Sequence, residues 1–452
     1  MADRPNILLI MTDQQSSTML SCAGNRHVST PAMDSLAAEG VRFDRAYCTN
    51  PVCVPSRFSL MTGLMPSAIG MLSNSLARVA IPESMKCNGL GFLMRQAGYD
   101  PAYAGKVHLP KMSAKDVGFE PICADERERL ADACAEFIRG RRSEPFFLIA
   151  SFINPHDICY MAIRDFVRTD TERWLTEHGA VECATLDAAL ARPGGLDDAA
   201  FFAEHCPPIP LNFEAQQDEP EAIRIMLEQR PFRINARREW PANRWREHRW
   251  AYARLTEIVD GQIGRVLGAL RQSGQAERTV VVFTSDHGDM DASHRMEHKS
   301  ALYDEVCRIP LIVRPPGGMT GRVDRTSLIS NGLDLVPTLC DWAGIAPPPA
   351  LPGKSLRPLV DDVVRQEWRR SVPVECAIGR AIITDRFKYA VYDLGSSREQ
   401  LIDLASDPWE QRNALHDPEH SHALVELRHA FRTTFGSTPR DPAHVLQAAA
   451  DA

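Results

Sequence analysis

The sequence predicts an α/β fold: a mostly parallel central sheet flanked by helices over residues 1–350, then a smaller C-terminal α+β part, 351–452, on a short antiparallel sheet. Ile7–Met11 (ILLIM), Tyr99–Ala104 (YDPAYA), Phe146–Phe152 (FFLIASF) and Val280–Phe283 (VVVF) are short, continuous apolar runs, the pattern of strands buried on both faces. Helix-period segments separate them, as crossover helices separate parallel strands. The proline-rich stretch Gly344–Gly353 (GIAPPPALPG) then breaks the pattern and predicts a linker.

Taken in order, Thr30 is placed to cap a helix with Pro31 in its first turn, Met33, Leu36 and Ala37 on one face, and Gly40 behind it. From about Arg246 to Arg271, Trp250, Leu255, Ile258, Val259, Val266, Leu267 and Leu270 recur near the helical period. Ile309–Val313 (IPLIV) predicts a further strand, stopped by Pro315 and Pro316. Beyond the linker, AIITDRFKYAVY (Ala381–Tyr392) alternates as a hairpin does, and a last helix runs from about Ser421 to Thr434.

Bulk properties narrow the class. A chain of 452 residues, 44% hydrophobic and 24% charged, buries a large core. The net charge of −8 disfavours general nucleic-acid binding, so an anionic ligand must be held by a few local cations. Twelve cysteines, with no Cys-x-x-Cys pair, suggest neither a disulfide scaffold nor a structural zinc site. The apolar run after MADRPN is too short to span a membrane and lacks a signal-peptide layout, so a reduced, cytoplasmic protein is expected.

The apolar runs share a second feature. Each delivers polar residues at its carboxyl end: Asp13 and Gln14; Lys106 and His108; Asn154 and His156; Asp286 and His287. Ligands of open α/β sheets bind at that edge. Between the first two runs lies Asn50–Gly63 (NPVCVPSRFSLMTG), where Cys53 precedes Pro55, Ser56 and Arg57 at a helix start. Free backbone donors and the helix dipole make such a corner anion-binding and acidify a thiol placed there. Chance supplies about one Cys-x-Pro in a chain of this composition, and Cys206–Pro208 is another; requiring Ser and Arg next is rarer by roughly two orders of magnitude.

NILLIMTDQ (Asn6–Gln14), CVPSR (Cys53–Arg57), GKVHL (Gly105–Leu109), NPHD (Asn154–Asp157), TSDHGDM (Thr284–Met290), HKSALYDE (His298–Glu305) and LIDLASDPWEQRNAL (Leu401–Leu415) resemble, in order and spacing, the type I sulfatases of the alkaline phosphatase superfamily. The resemblance implies an alkaline-phosphatase-like catalytic domain and hydrolysis of a small anionic sulfate ester. It implies that a maturation enzyme oxidises Cys53 to formylglycine, whose hydrate attacks sulfur, expels the alcohol and then collapses to release sulfate. Asp13, Gln14, Asp286, His287 and an oxygen of residue 53 would hold one divalent ion, calcium first, with manganese or magnesium as alternatives. Arg57 would hold the hydrate; Lys106 and His108 would bond the diol and sulfate; His156 and Lys299 would meet the sulfuryl and leaving-group oxygens.

Two positions depart from the commonest family pattern. Gln14 stands where many sulfatases have a second carboxylate, and His287 where they have asparagine. These pairs also resemble phosphonate monoester hydrolases and choline sulfatases, whereas Lys106 and His108 favour the sulfatase branch. A phosphonate or phosphodiester hydrolase is therefore the alternative, and a non-catalytic binding relative, with Cys53 never oxidised, the second. His294 and His298 are read as loop residues without a role. Arg230–Trp250, rich in arginine and tryptophan, is read as a salt-bridged helix start with inward tryptophans in preference to a substrate-facing wall. The alcohol part of the substrate and the oligomeric state are not set by the sequence.

Overall fold

The computed structural model describes residues 4–75, 79, 81–362 and 368–451. Its strands are β1 (Asn6–Asp13), β2 (Val41–Phe43), β3 (Ala46–Tyr47), β4 (Asp100–Gly105), β5 (Glu120–Cys123), β6 (Phe146–Pro155), β7 (Thr279–Ser285), β8 (Leu311–Arg314), β9 (Arg322–Asp324), β10 (Ile329–Ser330), β11 (Val372–Glu375), β12 (Gly379–Ile383), β13 (Phe387–Tyr392) and β14 (Glu399–Asp403). Eight of them form one sheet in the order β5-β4-β6-β1-β7-β8-β2-β9. The four apolar runs are the adjacent strands β4, β6, β1 and β7, all parallel. Register holds their carboxyl ends level: Gly105 pairs with Ser151, Asp13 with Pro155, and Thr12 with Ser285.

Strand β8, the expected Ile309–Val313 element, instead runs antiparallel to β7. The chain between them holds only one-turn helices, Ser293–Arg295 and Asp304–Cys307, too little for the crossover that a parallel return needs. Alternate residues of β1 explain the double burial. Ile7, Leu9 and Met11 join one core with Val280 and Val282. Leu8 and Ile10 join another with Val259, Ile263 and Val266 of the long Ala242–Gln272 helix.

That long helix also corrects the expected cap. Thr30 makes no side-chain cap bond to the Pro31–Ala38 helix. The amides of Ala32 and Met33 donate instead to the Asp260 carboxylate, at 3.0 and 2.9 Å, so a neighbouring helix supplies the acceptor.

Strands β11–β14 form the antiparallel C-terminal sheet. One face packs under the Ser421–Phe435 helix, and the other shares a core with Tyr47, Val52, Leu302 and Tyr303. Buried Lys388 on β13 reaches Asp304 at 2.5 Å and Glu410 at 2.6 Å, tying this sheet to the loop that carries Lys299. A further helix, Pro442–Asp451, was not anticipated from the sequence.

Gly105 closes β4 with φ of +88°, and an added Cβ would sit 2.1 Å from the Ser151 carbonyl oxygen. Gly105→Ala should therefore lower stability by about 2–3 kcal/mol, read by denaturant unfolding, since both the backbone and the contact resist it.

Candidate active site

The site is assembled where the four central strands end. Arg57 organises it. The Cys53–Thr62 helix is buried on every side, so its arginine, 1% exposed, reaches no solvent. Arg57 Nε donates to Asp286 Oδ2 at 2.8 Å and Nη2 to Asp13 Oδ2 at 3.0 Å. Nη1 donates to the Lys106 carbonyl and to Ser151 Oγ, both at 2.8 Å. The Lys106 carbonyl also accepts from Tyr103 Oη and Ser151 Oγ, each at 2.7 Å, which fixes the backbone beneath the lysine. Arg57 thus clamps the two carboxylates beside residue 53. Its long, planar fork reaches past the helix start into the sheet edge.

Cys53 occupies the first helical residue, with no side-chain cap at Val52. Its Sγ lies 3.1 Å from Lys299 Nζ, 3.2 Å from His287 Nε2 and 3.7 Å from Asp13 Oδ1. Burial would raise the thiol, but Lys299, Lys106, His287 and a hydrogen bond with His108 together hold it well below the ordinary thiol range. Lys106 Nζ pairs with Asp13 Oδ2 at 2.6 Å. His156 bonds Cys53 from the end of β6; burial, then Lys106 and Lys299, bring the ring down to about 4, so it is neutral. His108 is the exposed member, at φ of +44°.

Donors for a cation are grouped at the same point. One ligand atom each from Asp13, Cys53, Asp286 and His287 lies within 4.8 Å of the others, all buried. His287 Nδ1 donates to the Gly288 carbonyl at 2.9 Å, which turns Nε2 toward Cys53 Sγ and the two carboxylates. Burial and neighbouring Asp13 push Asp286 up, beyond what His287 and Arg57 offset. Asp13 is held down because Lys106, His156 and Arg57 outweigh burial and Cys53. Two facing buried carboxylates of opposed tendency are what a divalent ion would relieve, so the residues fit one. Gln14 sits at φ of +69°; its Oε1 accepts from Lys299 Nζ at 3.0 Å and its Nε2 donates to Asp289 at 2.7 Å. Its amide oxygen is therefore engaged by Lys299 at the rim of the donor group.

All ten residues singled out from the sequence converge here. Ser151, Tyr103 and Asp289 were missed; Ser151 is a single polar residue within an apolar run, and only the register of β4 on β6 reveals its use. His294 is buried and stacked on Tyr303 with centroids 4.1 Å apart, so it is a packing residue rather than a free loop residue. Trp240, Trp245 and Trp250 are buried, while Arg237 and Arg244 pair with Glu219 and Asp165, as expected of a salt-bridged helix start. Arg233 departs from that pattern: it is buried and lies near Glu297.

Removing Arg57 would strip the buried Asp286 of its guanidinium partner and leave Asp13 with Lys106. Arg57→Met should cost about 3–5 kcal/mol of stability, and saturating divalent cation should recover part of it in thermal unfolding.

Fold and site together bring a buried thiol, two ammonium groups and a cluster of possible cation ligands to one point, an arrangement suited to a tetrahedral anion. Comparison with known proteins gives the family. The sulfatase profile matches residues 5–345, and the C-terminal profile of N-sulphoglucosamine sulphohydrolase matches 292–434. A Δ4,5-hexuronate-2-O-sulfatase of Bacteroides thetaiotaomicron is 30% identical over 94% of this chain and 88% of its own. A solved 2-O GAG sulfatase superposes with a TM-score of 0.79 at 27% identity, covering 98% of this chain and 96% of its own. The phosphonate monoester hydrolase of Agrobacterium radiobacter shares the fold, with a TM-score of 0.70 at 23% identity, covering 95% of each chain. The chain belongs to the sulfatase family of the alkaline phosphatase superfamily and is a sulfuric ester hydrolase.

Proposed function

We propose that this sulfatase cleaves sulfate monoesters of sugars, using formylglycine made from Cys53 by a maturation enzyme. The observation that carries the nucleophile is the position of Cys53 Sγ, buried and 3.1 Å from Lys299 Nζ at an uncapped helix start. The sugar class is supported by the hexuronate-2-O-sulfatase relative and by an N-acetylglucosamine-6-O-sulfatase of Bacteroides thetaiotaomicron, 25% identical over 95% of this chain and 86% of its own.

Oxidation at position 53 would supply a hydrated aldehyde as nucleophile, and a divalent cation held by Asp13 and Asp286, with His287 and Gln14 at its edge, would supply positive charge beside it. The chain's own groups do the rest. Arg57 holds both carboxylates in one orientation. Lys106 and Lys299 set two ammonium groups around residue 53, where sulfuryl oxygens gather negative charge. Neutral His156 is suited to take a proton, and exposed His108 meets ester entering from solvent.

Calcium is the ion that the family implies, and the oxygen donors of Asp13 and Asp286 suit it. One observation favours manganese as a second reading: His287 turns its Nε2 toward the same point.

Two measurements test the proposal. Peptide mass spectrometry of active protein should find aldehyde in place of the thiomethyl group at residue 53. A rate panel should rank sulfated uronates and glucosamines above choline sulfate and a phosphonate monoester. Full activity with an unmodified thiol, or a preference for the phosphonate, would overturn it.

A further inference from the structure

Glu297 and His298, next to Lys299, play no part in the chemistry described above. Glu297 is 3% exposed, and neither of its carboxyl oxygens has a hydrogen-bond partner. His298 Nδ1 lies 3.5 Å from Glu297 Oε2 and is likewise buried and unpartnered. The imidazole keeps 8% exposure, and none of it is at Nδ1. The ring rests edge-to-face against Phe232, with centroids 5.7 Å apart, and His298 adopts φ of +78°. Leaving two polar partners buried without a formed bond, on a backbone that non-glycine residues avoid, is costly. Such an arrangement is typical of sites that tighten when substrate arrives.

We infer that His298 is a further substrate-contacting residue, donating a hydrogen bond from Nε2–H to the alcohol-side oxygen of the ester, and that Glu297 is the positioning residue that fixes its tautomer. This rests on the sulfatase reading. The groups facing the pair set its protonation. Around Glu297 stand Arg233 of the Pro231–Glu239 helix, Asp289 of the loop after β7, and Lys299; burial outweighs the two cations and brings Glu297 to about 8. Around His298 stand Arg233, Lys299, His156 and Cys53, and burial followed by the first three keeps the ring neutral. At neutral pH a protonated Glu297 can donate to Nδ1, so the imidazole proton sits on Nε2, the ring's wet edge. When pH rises through the Glu297 titration, the carboxylate accepts instead. The proton moves to Nδ1, and Nε2 stops being a donor.

The test uses mature full-length enzyme and a series of aryl sulfates whose phenols differ in acidity. Wild-type turnover of the series is measured first, beside that of a sulfated glucosamine; absence of both would count against the sulfatase reading itself, separately from this inference. His298→Ala should lower kcat/KM by roughly tenfold for the most basic phenol and progressively less as the phenol becomes more acidic, because a donor matters most where more charge develops. Glu297→Ala should lose a similar factor, and Glu297→Gln, whose amide also donates to Nδ1, should recover most of it. Wild type should show a fall in kcat/KM above about pH 8 that Glu297→Gln lacks. Circular dichroism confirms folding of each variant. A loss independent of the phenol, or an alkaline fall that persists in Glu297→Gln, would overturn the inference.

Discussion

Cys53→Ala abolishes turnover, by at least about 10⁴-fold in kcat, while leaving a folded protein. The size follows from what surrounds the thiol. Ser56, the nearest alternative hydroxyl on the same helix, has its proton committed to the Asp286 carbonyl at 2.6 Å. Gln14, Arg57 and Lys299 cannot attack sulfur, and each is engaged in hydrogen bonds. Deleting the nucleophile of a covalent mechanism removes the route rather than slowing it. Stability should fall by only about 1 kcal/mol, since one sulfur atom leaves a small cavity under a helix buried on all sides. Lys299 keeps its bond to Gln14 Oε1 at 3.0 Å and so is not stranded. The measurement is single-turnover kinetics on a sulfate ester, beside denaturant unfolding of the same preparation. Residual turnover within a hundredfold of wild type would show that residue 53 is not the nucleophile.

Much of the site was legible because parallel strands write it twice, once as an apolar run and again as the polar residues that end it. Ile7–Met11 with Asp13, and Val280–Phe283 with Asp286, became adjacent strands whose ends meet. What the sequence withheld lies across strands or across the chain. Nothing local tells that Arg57 would bridge two carboxylates. That depends on the fold bringing the helix start to the ends of β1 and β7. Thr30 carried a good capping signal, yet Asp260, more than two hundred residues away, took the role. His294 and His298 look alike in the sequence, but one stacks on Tyr303 and the other stands beside Phe232. Local propensity could not separate them, because the strained loop that holds them follows from packing on neighbouring elements.

Chelation of the purified enzyme should remove activity almost completely, and single-metal add-back should restore it. Asp13 and Asp286 are fully buried and face the same point, with Arg57, Lys106 and His287 as their basic partners among the described residues. An anionic ester arriving there adds negative charge where two carboxylates already stand, and a divalent ion held by them would supply counter-charge. Binding to the folded state alone should also raise thermal stability, by about 2.7 kcal/mol at a hundredfold excess over Kd, which gives a readout independent of turnover. Which ion does so turns on His287. Its Nδ1 is spent on Gly288, so Nε2 is the nitrogen that faces the site. Calcium accepts nitrogen poorly, and manganese accepts it well. His287→Asn replaces that nitrogen with an amide oxygen, and the add-back series should shift toward calcium. If the wild type already prefers calcium and the variant is unchanged, His287 faces substrate instead of metal. Full activity after exhaustive chelation would overturn the cation site as a whole, since two clustered carboxylates would then have no reason to face an incoming anion.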